Sequence, residues 1–239
     1  IYGTPLVSNT LGDGNKYQTD TFRVANPDLN PEKSKSYEYN VDYLLSRNDL
    51  VSFSTYYTTI EDLILIEEKM PEQKYYLPNT TILDPRGSKN AANSYIYGGD
   101  ISYNAHSYFS GYEINYWLNY SFVDGRINYE YDYDLPFFAQ NIFKAGTTFK
   151  QKDITVSPSL RWVSPINASY YVNDELATVD SYIVSDLYSS YALDKKQKIS
   201  FKVDNLFDKH YYGVRYNTSS KYETPQNTRT MFLAYTINF

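Results

Sequence analysis

The 239-residue sequence has no cysteine, two histidines and no run of apolar residues near the ~18 that a helical membrane span requires. Each lack closes a route. Without cysteine there is neither a disulfide framework nor a CxxC pair. The absent apolar run, with a mean hydropathy of -0.56, excludes a helical membrane protein. Lys and Arg number 22 against 28 Asp and Glu, a formal charge of -6, and this excludes nucleic acid as a partner because a phosphate-binding surface needs clustered cations. No GxSxG, HExxH or Walker loop is present. His106 and His210 fall on different predicted strands without an obvious serine partner, so no enzyme, cofactor or metal is expected.

What is abundant is tyrosine, 29 residues within an aromatic content of 18%, a bias suited to membrane interfaces and to loops. The final stretch from Arg229 to Phe239 alternates strictly: Met231, Leu233, Tyr235, Ile237 and Phe239 share one face, and Thr230, Phe232, Ala234, Thr236 and Asn238 the other. Its ending on phenylalanine is similar to the C-terminal signal by which the barrel-insertion machinery reads the last strand of bacterial outer-membrane barrels.

The same period of two recurs upstream. Tyr112 to Phe122 carries Tyr, Ile, Tyr, Leu, Tyr and Phe on even positions against Glu113, Asn115, Trp117, Asn119 and Ser121. Ile154 to Trp162 opposes Ile154, Val156, Pro158, Leu160 and Trp162 to Thr155, Ser157, Ser159 and Arg161, and residues 37–45 oppose Tyr37, Tyr39, Val41, Tyr43 and Leu45 to Glu38, Asn40 and Asp42, with Leu44 as the exception. Weaker alternation at 49–60, 95–108, 141–151, 182–193 and 197–207 brings the expected total to about nine strands of ~10 residues, the length that crosses a bilayer at a tilt. The fold class is all-β, an antiparallel transmembrane β-barrel.

Connections alternate in length. Short turns are expected at 46–49, 109–111, 151–153 and 194–196, and long segments at 1–33, 66–94, 124–140, 165–181 and 213–227, which places all long segments on one side of the membrane. Single-chain bacterial barrels close with an even number of strands, and an open edge in lipid leaves backbone groups unmet at several kcal/mol each. Nine strands are therefore expected to be part of a larger barrel. No signal peptide opens the sequence and Ile1 is not an initiator, so residues 1–239 are expected to be the C-terminal portion of a longer protein.

Three ordered motifs carry a family resemblance. Asn26-Pro27-Asp28-Leu29-Asn30-Pro31-Glu32, continued by Ser34, Tyr37 and Glu38, resembles the segment leading into a mid-barrel strand of TonB-dependent outer-membrane receptors. Ser185-Asp186-Leu187 with Tyr191, and Val203-Asp204-Asn205-Leu206-Phe207-Asp208-Lys209 with Tyr211, are similar to the two strand segments near the end of that family's barrel. The resemblance implies the roughly 22-stranded, plugged size class, of which this chain supplies the last nine strands, with the plug and the TonB-binding segment lying elsewhere. It also implies active import of scarce cargo such as a ferric siderophore, haem, cobalamin or a glycan. A histidine that often precedes the first motif in haem receptors is missing from residues 1–25, which weakens haem. A passive porin, without plug, is the alternative from another class.

Two residue sets follow. Glu38, Asp42, Asp100, Asn104, Glu113, Asn115, Lys144, Lys150, Arg161, Asp186 and Lys202 are expected on the lumen or plug side, because Arg or Lys on the lipid side costs ~2–4 kcal/mol near the midplane. Tyr75, Tyr76, Arg86, Tyr131, Tyr133, Phe137, Phe138, Tyr170, Tyr171, Arg215 and Tyr216 are expected in external loops as contacts for planar anionic cargo. The bland alternatives are hydrated lumen residues for the first set and loop packing or an aromatic girdle for the second. The acidic run Glu130, Asp132, Asp134 is read as solvated loop charge rather than a cation site.

Overall fold

The computed structural model describes residues 21–69, 84–128, 132–135, 137–172, 175–214 and 223–238. Among these residues there is no helix. Fifteen strands form in chain order: β1 (Thr21–Val24), β2 (Lys33–Leu44), β3 (Asp49–Lys69), β4 (Asp84–Phe109), β5 (Tyr112–Asn128), β6 (Asp132–Asp134), β7 (Asn141–Gln151) and β8 (Ile154–Val163). They continue with β9 (Ile166–Val172), β10 (Glu175–Val179), β11 (Tyr182–Ala192), β12 (Gln197–Asp204), β13 (Tyr212–Val214), β14 (Glu223–Pro225) and β15 (Thr230–Ile237).

Nine of them pair in the order β15-β12-β11-β8-β7-β5-β4-β3-β2, with β1 added in parallel to β4 and β6 added to β5. This path contains the nine expected strands. It ends at β2 and β15, and among the described residues no pairing joins those two ends. The remaining strands form two hairpins, β9 with β10 and β13 with β14.

Short turns link β2 to β3, β4 to β5, β7 to β8 and β11 to β12. Left-handed backbone makes them tight: Ser110 and Gly111 both have positive φ, 50° and 82°, as a two-residue hairpin requires, and Lys152 has φ 52°. The turn before β12 is held by Asp194, whose Oδ1 accepts the Lys196 and Gln197 N–H at 2.7 and 2.8 Å.

The chain divides into two compact units, one of Ile1–Lys35, Thr58–Tyr95 and Arg126–Tyr133, the other of Ser36–Tyr57, Ile96–Gly125 and Asp134–Phe239. The second holds β7, β8, β11, β12 and β15 whole, with most of β2 and β5 and parts of β3 and β4. Large apolar side chains remain exposed on its strands, among them Tyr108, Phe109 and Leu233 at 72–77%. A small core does form where the hairpin of β9 and β10 meets the wall: Ala139, Val163, Ile166 and Val179 are buried, with Ile142, Tyr182 and Val214 packed on them. Val179, 1% exposed, alone accounts for about 1.5–3 kcal/mol of burial.

The long strands are a correction to the sequence reading. β3 runs on to Lys69 and β4 begins at Asp84, so residues 84–94, expected in a long loop, are strand. Alternation marks only the part of a strand whose two faces meet different solvents, and the run from Asp84 to Ser94 has no apolar face to reveal it. Likewise the long connections 165–181 and 213–227 contain the two hairpins.

Candidate functional site

Pairing register sorts the side chains of the wall onto two faces. On one, Glu113 lies opposite Lys150, Asn115 opposite Thr148, and Lys144 opposite both Asn119 and Arg161. The row continues through Asp186 opposite Ser159, Tyr188 opposite Ser157 and Lys202, and Lys202 opposite Phe232. Side-chain contacts tie these rows together. Lys150 Nζ is 3.6 Å from Glu113 Oε2, Lys202 Nζ 2.8 Å from Asp204 Oδ1, and Thr148 shares a 2.9 Å hydrogen bond with Ser157. His106 Nδ1 lies 2.7 Å from Asn115 Oδ1, placing the even positions of β4, Asn104 included, on the same side. Asp100 accepts a 3.4 Å hydrogen bond from Ser54. Glu38 and Asp42 are exposed on β2 at the end of the sheet.

The opposite face is apolar. Leu118, Ala145, Leu160 and Ser185 form one rung across four strands, and Phe201 faces Leu233, Val203 faces Met231 and Ile199 faces Tyr235. The Tyr235 hydroxyl hydrogen-bonds to Gln197 Oε1. Of the expected assembly-signal residues, Met231, Leu233, Tyr235 and Ile237 are exposed on this face of β15; Phe239 lies outside the described residues.

On the polar face a cavity of about 430 Å³ opens between β7, β8, β11 and β15, with Trp117, Lys144, Arg161, Asp186, Asp204 and Phe232 in its wall. The Trp117 ring in that wall rests on a glycine of β7. A Cβ on Gly146 would stand 2.7 Å from the Trp117 ring, so only the bare backbone lets the indole lie against β7. Above it the Arg161 guanidinium sits 5.8 Å from the Tyr182 ring centroid, and Tyr182 packs on Tyr211 with centroids 4.5 Å apart. Two cations and four aromatic rings thus converge at one end of the wall.

Two of the sequence motifs act through hydrogen bonds to backbone. Asn205, buried at 3% and held at φ 55°, donates through Nδ2 to the carbonyls of Lys209 and Asn227 and accepts the Lys209 N–H at 2.8 Å. Its own N–H donates to Asp186 Oδ1 at 2.8 Å, and the Leu206 N–H to the Ser185 carbonyl at 2.7 Å. Asp208 Oδ1 accepts the Arg229 N–H at 2.8 Å. The segment therefore ties β11, the end of β12 and the entry to β15 into one knot. Asp186, expected as a lumen residue, is a member of that knot.

The first motif is a buckle in the other unit. Asn30 N–H donates to Asn90 Oδ1 at 2.8 Å, and Asn90 Nδ2 returns bonds to the Asn30 and Asp62 carbonyls at 2.9 and 2.6 Å. Glu32 Oε1 accepts the Ile64 N–H at 2.7 Å and Lys33 pairs with Asp62 at 3.1 Å. Asp62, at φ 59°, marks a left-handed break in β3, and these side chains meet the backbone groups that such a break releases from the ladder. Asn90 and Asp62 carried no signal in the sequence, because their role exists only once β3 and β4 lie side by side.

The expected cargo contacts scatter. Tyr75, Tyr76, Tyr131, Arg215 and Tyr216 lie outside the described residues. Arg86 belongs to β4, paired with Arg23, rather than to a loop, and Tyr133 to β6. Tyr170 and Tyr171 belong to β9. Phe137, at φ 73°, donates its N–H to the Asn167 carbonyl at 2.9 Å, and Phe138 lines a cavity of about 200 Å³ with Asp124, Asn141 and Asn167. Glu130 of the acidic run is also outside the described residues, and among those described no acidic or histidine cluster has metal-holding geometry.

A family model described as TonB dependent receptor-like, beta-barrel matches residues 2–206. Among solved structures, the chain is similar to a mutant of the ferric enterobactin receptor PfeA from Pseudomonas aeruginosa, with TM-score 0.69 and 13% identity over 91% of this chain and 32% of that one. It is similar to the ferric-catecholate import receptor Fiu from K12 E. coli, with TM-score 0.66 and 19% identity over 89% of this chain and 28% of that one. The FrpB iron transporter from Neisseria meningitidis gives TM-score 0.65 and 16% identity over 91% and 32%. No curated protein matches the chain. The chain spans about a third of the length of these receptors, and at such identities the likeness carries the fold. The two-faced antiparallel wall and the family match over most of its length agree: this chain belongs to the TonB-dependent receptor β-barrel family, whose members are outer-membrane transporters rather than enzymes.

Proposed function

We propose that the chain forms the last nine strands of a plugged outer-membrane barrel that imports a ferric siderophore with energy relayed by TonB. The division of the wall into a polar row and an apolar row carries this reading. Outer-membrane lipid would cover the face of Leu118, Leu160 and Leu233, and the polar residues would line a wet interior against the plug. TonB would engage a part of the receptor outside these 239 residues. The solved relatives named for ferric catecholates and iron support iron-chelate cargo over haem or cobalamin. The residues expected in external loops remain proposed cargo contacts, with the hairpin bearing Tyr170 and Tyr171 the best supported because buried Ile166 and Val179 fix its base.

Uptake of radiolabelled ferric siderophore by cells carrying the complete receptor tests the reading. Uptake that disappears when TonB is deleted supports it. Steady ion conductance in a planar bilayer, without TonB-dependent uptake, would instead make the protein a passive porin.

A further inference from the structure

We infer that a trough in the apolar face of the wall, over Ala145 and Ser185, retains one acyl chain of a membrane glycerophospholipid. The trough has a volume of about 600 Å³ and runs from Tyr103, Tyr116 and Leu118 on β4 and β5 to Leu206 and Phe207 beyond β12. Strand register explains the hollow. Toward one end of the strands, Tyr120, Phe143, Trp162 and Ile183 make a row of large side chains across four strands, and toward the other Ile114, Phe149 and Val156 make a second. Between those rows Ala145 and Ser185 interrupt the rung of Leu118 and Leu160, and Tyr116 faces only Thr147. The hollow is also no product of a sheet edge, since every strand from β4 to β12 on the path has both of its neighbours within this chain.

Continuity with the apolar face selects the occupant. The inference rests on the import reading for one thing only, the placement of lipid against that face. Two hydroxyls in the trough are already engaged: Thr147 donates to the Asn115 carbonyl at 3.1 Å, and Tyr116 shares a hydrogen bond with Ser107. No Lys, Arg or His lines it, and Asp186 at its margin accepts the Asn205 N–H from the polar row. With no cation to hold a phosphate, selection falls on the chain of the lipid and not on its headgroup. Lipid tails are as apolar as leucine, so close packing rather than the hydrophobic effect must hold one tail in place. A flexible alkyl chain can follow the uneven floor of Ala145, Thr147, Pro158 and Ser185, and the volume lies within the range of pockets that hold a single small molecule.

The test takes the complete receptor, delipidated in detergent, and measures phospholipid binding by native mass spectrometry. Three probes are used: dipalmitoyl phosphatidylethanolamine, dipalmitoyl phosphatidylglycerol and dihexanoyl phosphatidylethanolamine. The two long-chain lipids are expected to bind within about threefold of each other, and the short-chain lipid about tenfold or more weakly. Filling the trough with Ala145→Phe and Ser185→Leu is expected to weaken the long-chain probes by about tenfold or more, and the milder Ala145→Leu by about threefold. Ser189→Leu, which adds bulk to the same face beyond the trough, is expected to stay within about twofold. Retained β-sheet circular dichroism shows that each variant is folded. Unchanged binding in the folded trough variants, equal loss with Ser189→Leu, or an anionic headgroup preferred by more than about tenfold overturns the inference. Lipid binding that follows these expectations in a receptor without TonB-dependent uptake would remove the import reading and leave this site standing, and uptake without any bound lipid would do the reverse.

Discussion

The wall and the knots around Asn205 and Asn90 satisfy backbone groups by opposite means. Between β5 and β15 each strand meets its neighbour in unbroken register, so backbone bonds backbone and the side chains are left for the solvent on each side. Around Asn205 and Asn90 the ladder ends or breaks, and there side chains meet the backbone instead. The wall consequently tolerates exchange of polar for polar and apolar for apolar, whereas the knots depend on individual amides and carboxylates.

The sharpest way to break that contrast is Asn205→Ala. It removes three hydrogen bonds that buried Asn205 makes to Lys209 and Asn227, and at about 0.5–1.5 kcal/mol for each lost bond the expected loss is about 1.5–4.5 kcal/mol in urea unfolding of the complete receptor in lipid. Next comes Leu160→Lys. With its rung partners Ala145 and Ser185 on the apolar face, the ammonium is expected to cost ~2–4 kcal/mol, while Ser157→Lys, one row over on the polar face, changes stability by less than ~1 kcal/mol. Equal costs would mean that the two faces meet the same solvent.

Gly146→Ala should follow at roughly 1–3 kcal/mol, because the added methyl stands 2.7 Å from Trp117 and the indole must move. Altered near-ultraviolet circular dichroism would accompany it. Smallest is Lys150→Gln, which removes a 3.6 Å pair with Glu113 between half-exposed side chains and is expected to cost less than ~1 kcal/mol.

The wall was legible because faces of different polarity write alternation into a strand: residues 112–122 and 154–162 could be assigned to faces residue by residue, and the register agrees. Glu113, Asn115, Lys144 and Arg161 fall on one face as their parity required. Beyond those stretches the alternation stops, with Leu63, Ile64, Leu65 and Ile66 in an unbroken row and no large apolar residue between Asp84 and Ser94, and so the extension of β3 to Lys69 and of β4 back to Asp84 was hidden. The motif around Asn205 was visible as a pattern, but its purpose was not. That purpose needs Asn227 and Asp186, brought in from more than eighteen positions away by the sheet. Opposed Lys144 and Arg161 illustrate the same limit, since nothing seventeen residues apart in sequence announces adjacency.

The two tryptophans of the chain fall on opposite sides of one sheet: Trp117 lies against Gly146 on the polar side, and Trp162, opposite Phe143 and Ile183, on the apolar side. The molecule thus carries its own pair of optical reporters. Brominated phospholipid should dim the emission of Trp162 and spare Trp117, an aqueous quencher such as acrylamide should reverse the preference, and replacing either indole by phenylalanine would isolate the other's glow.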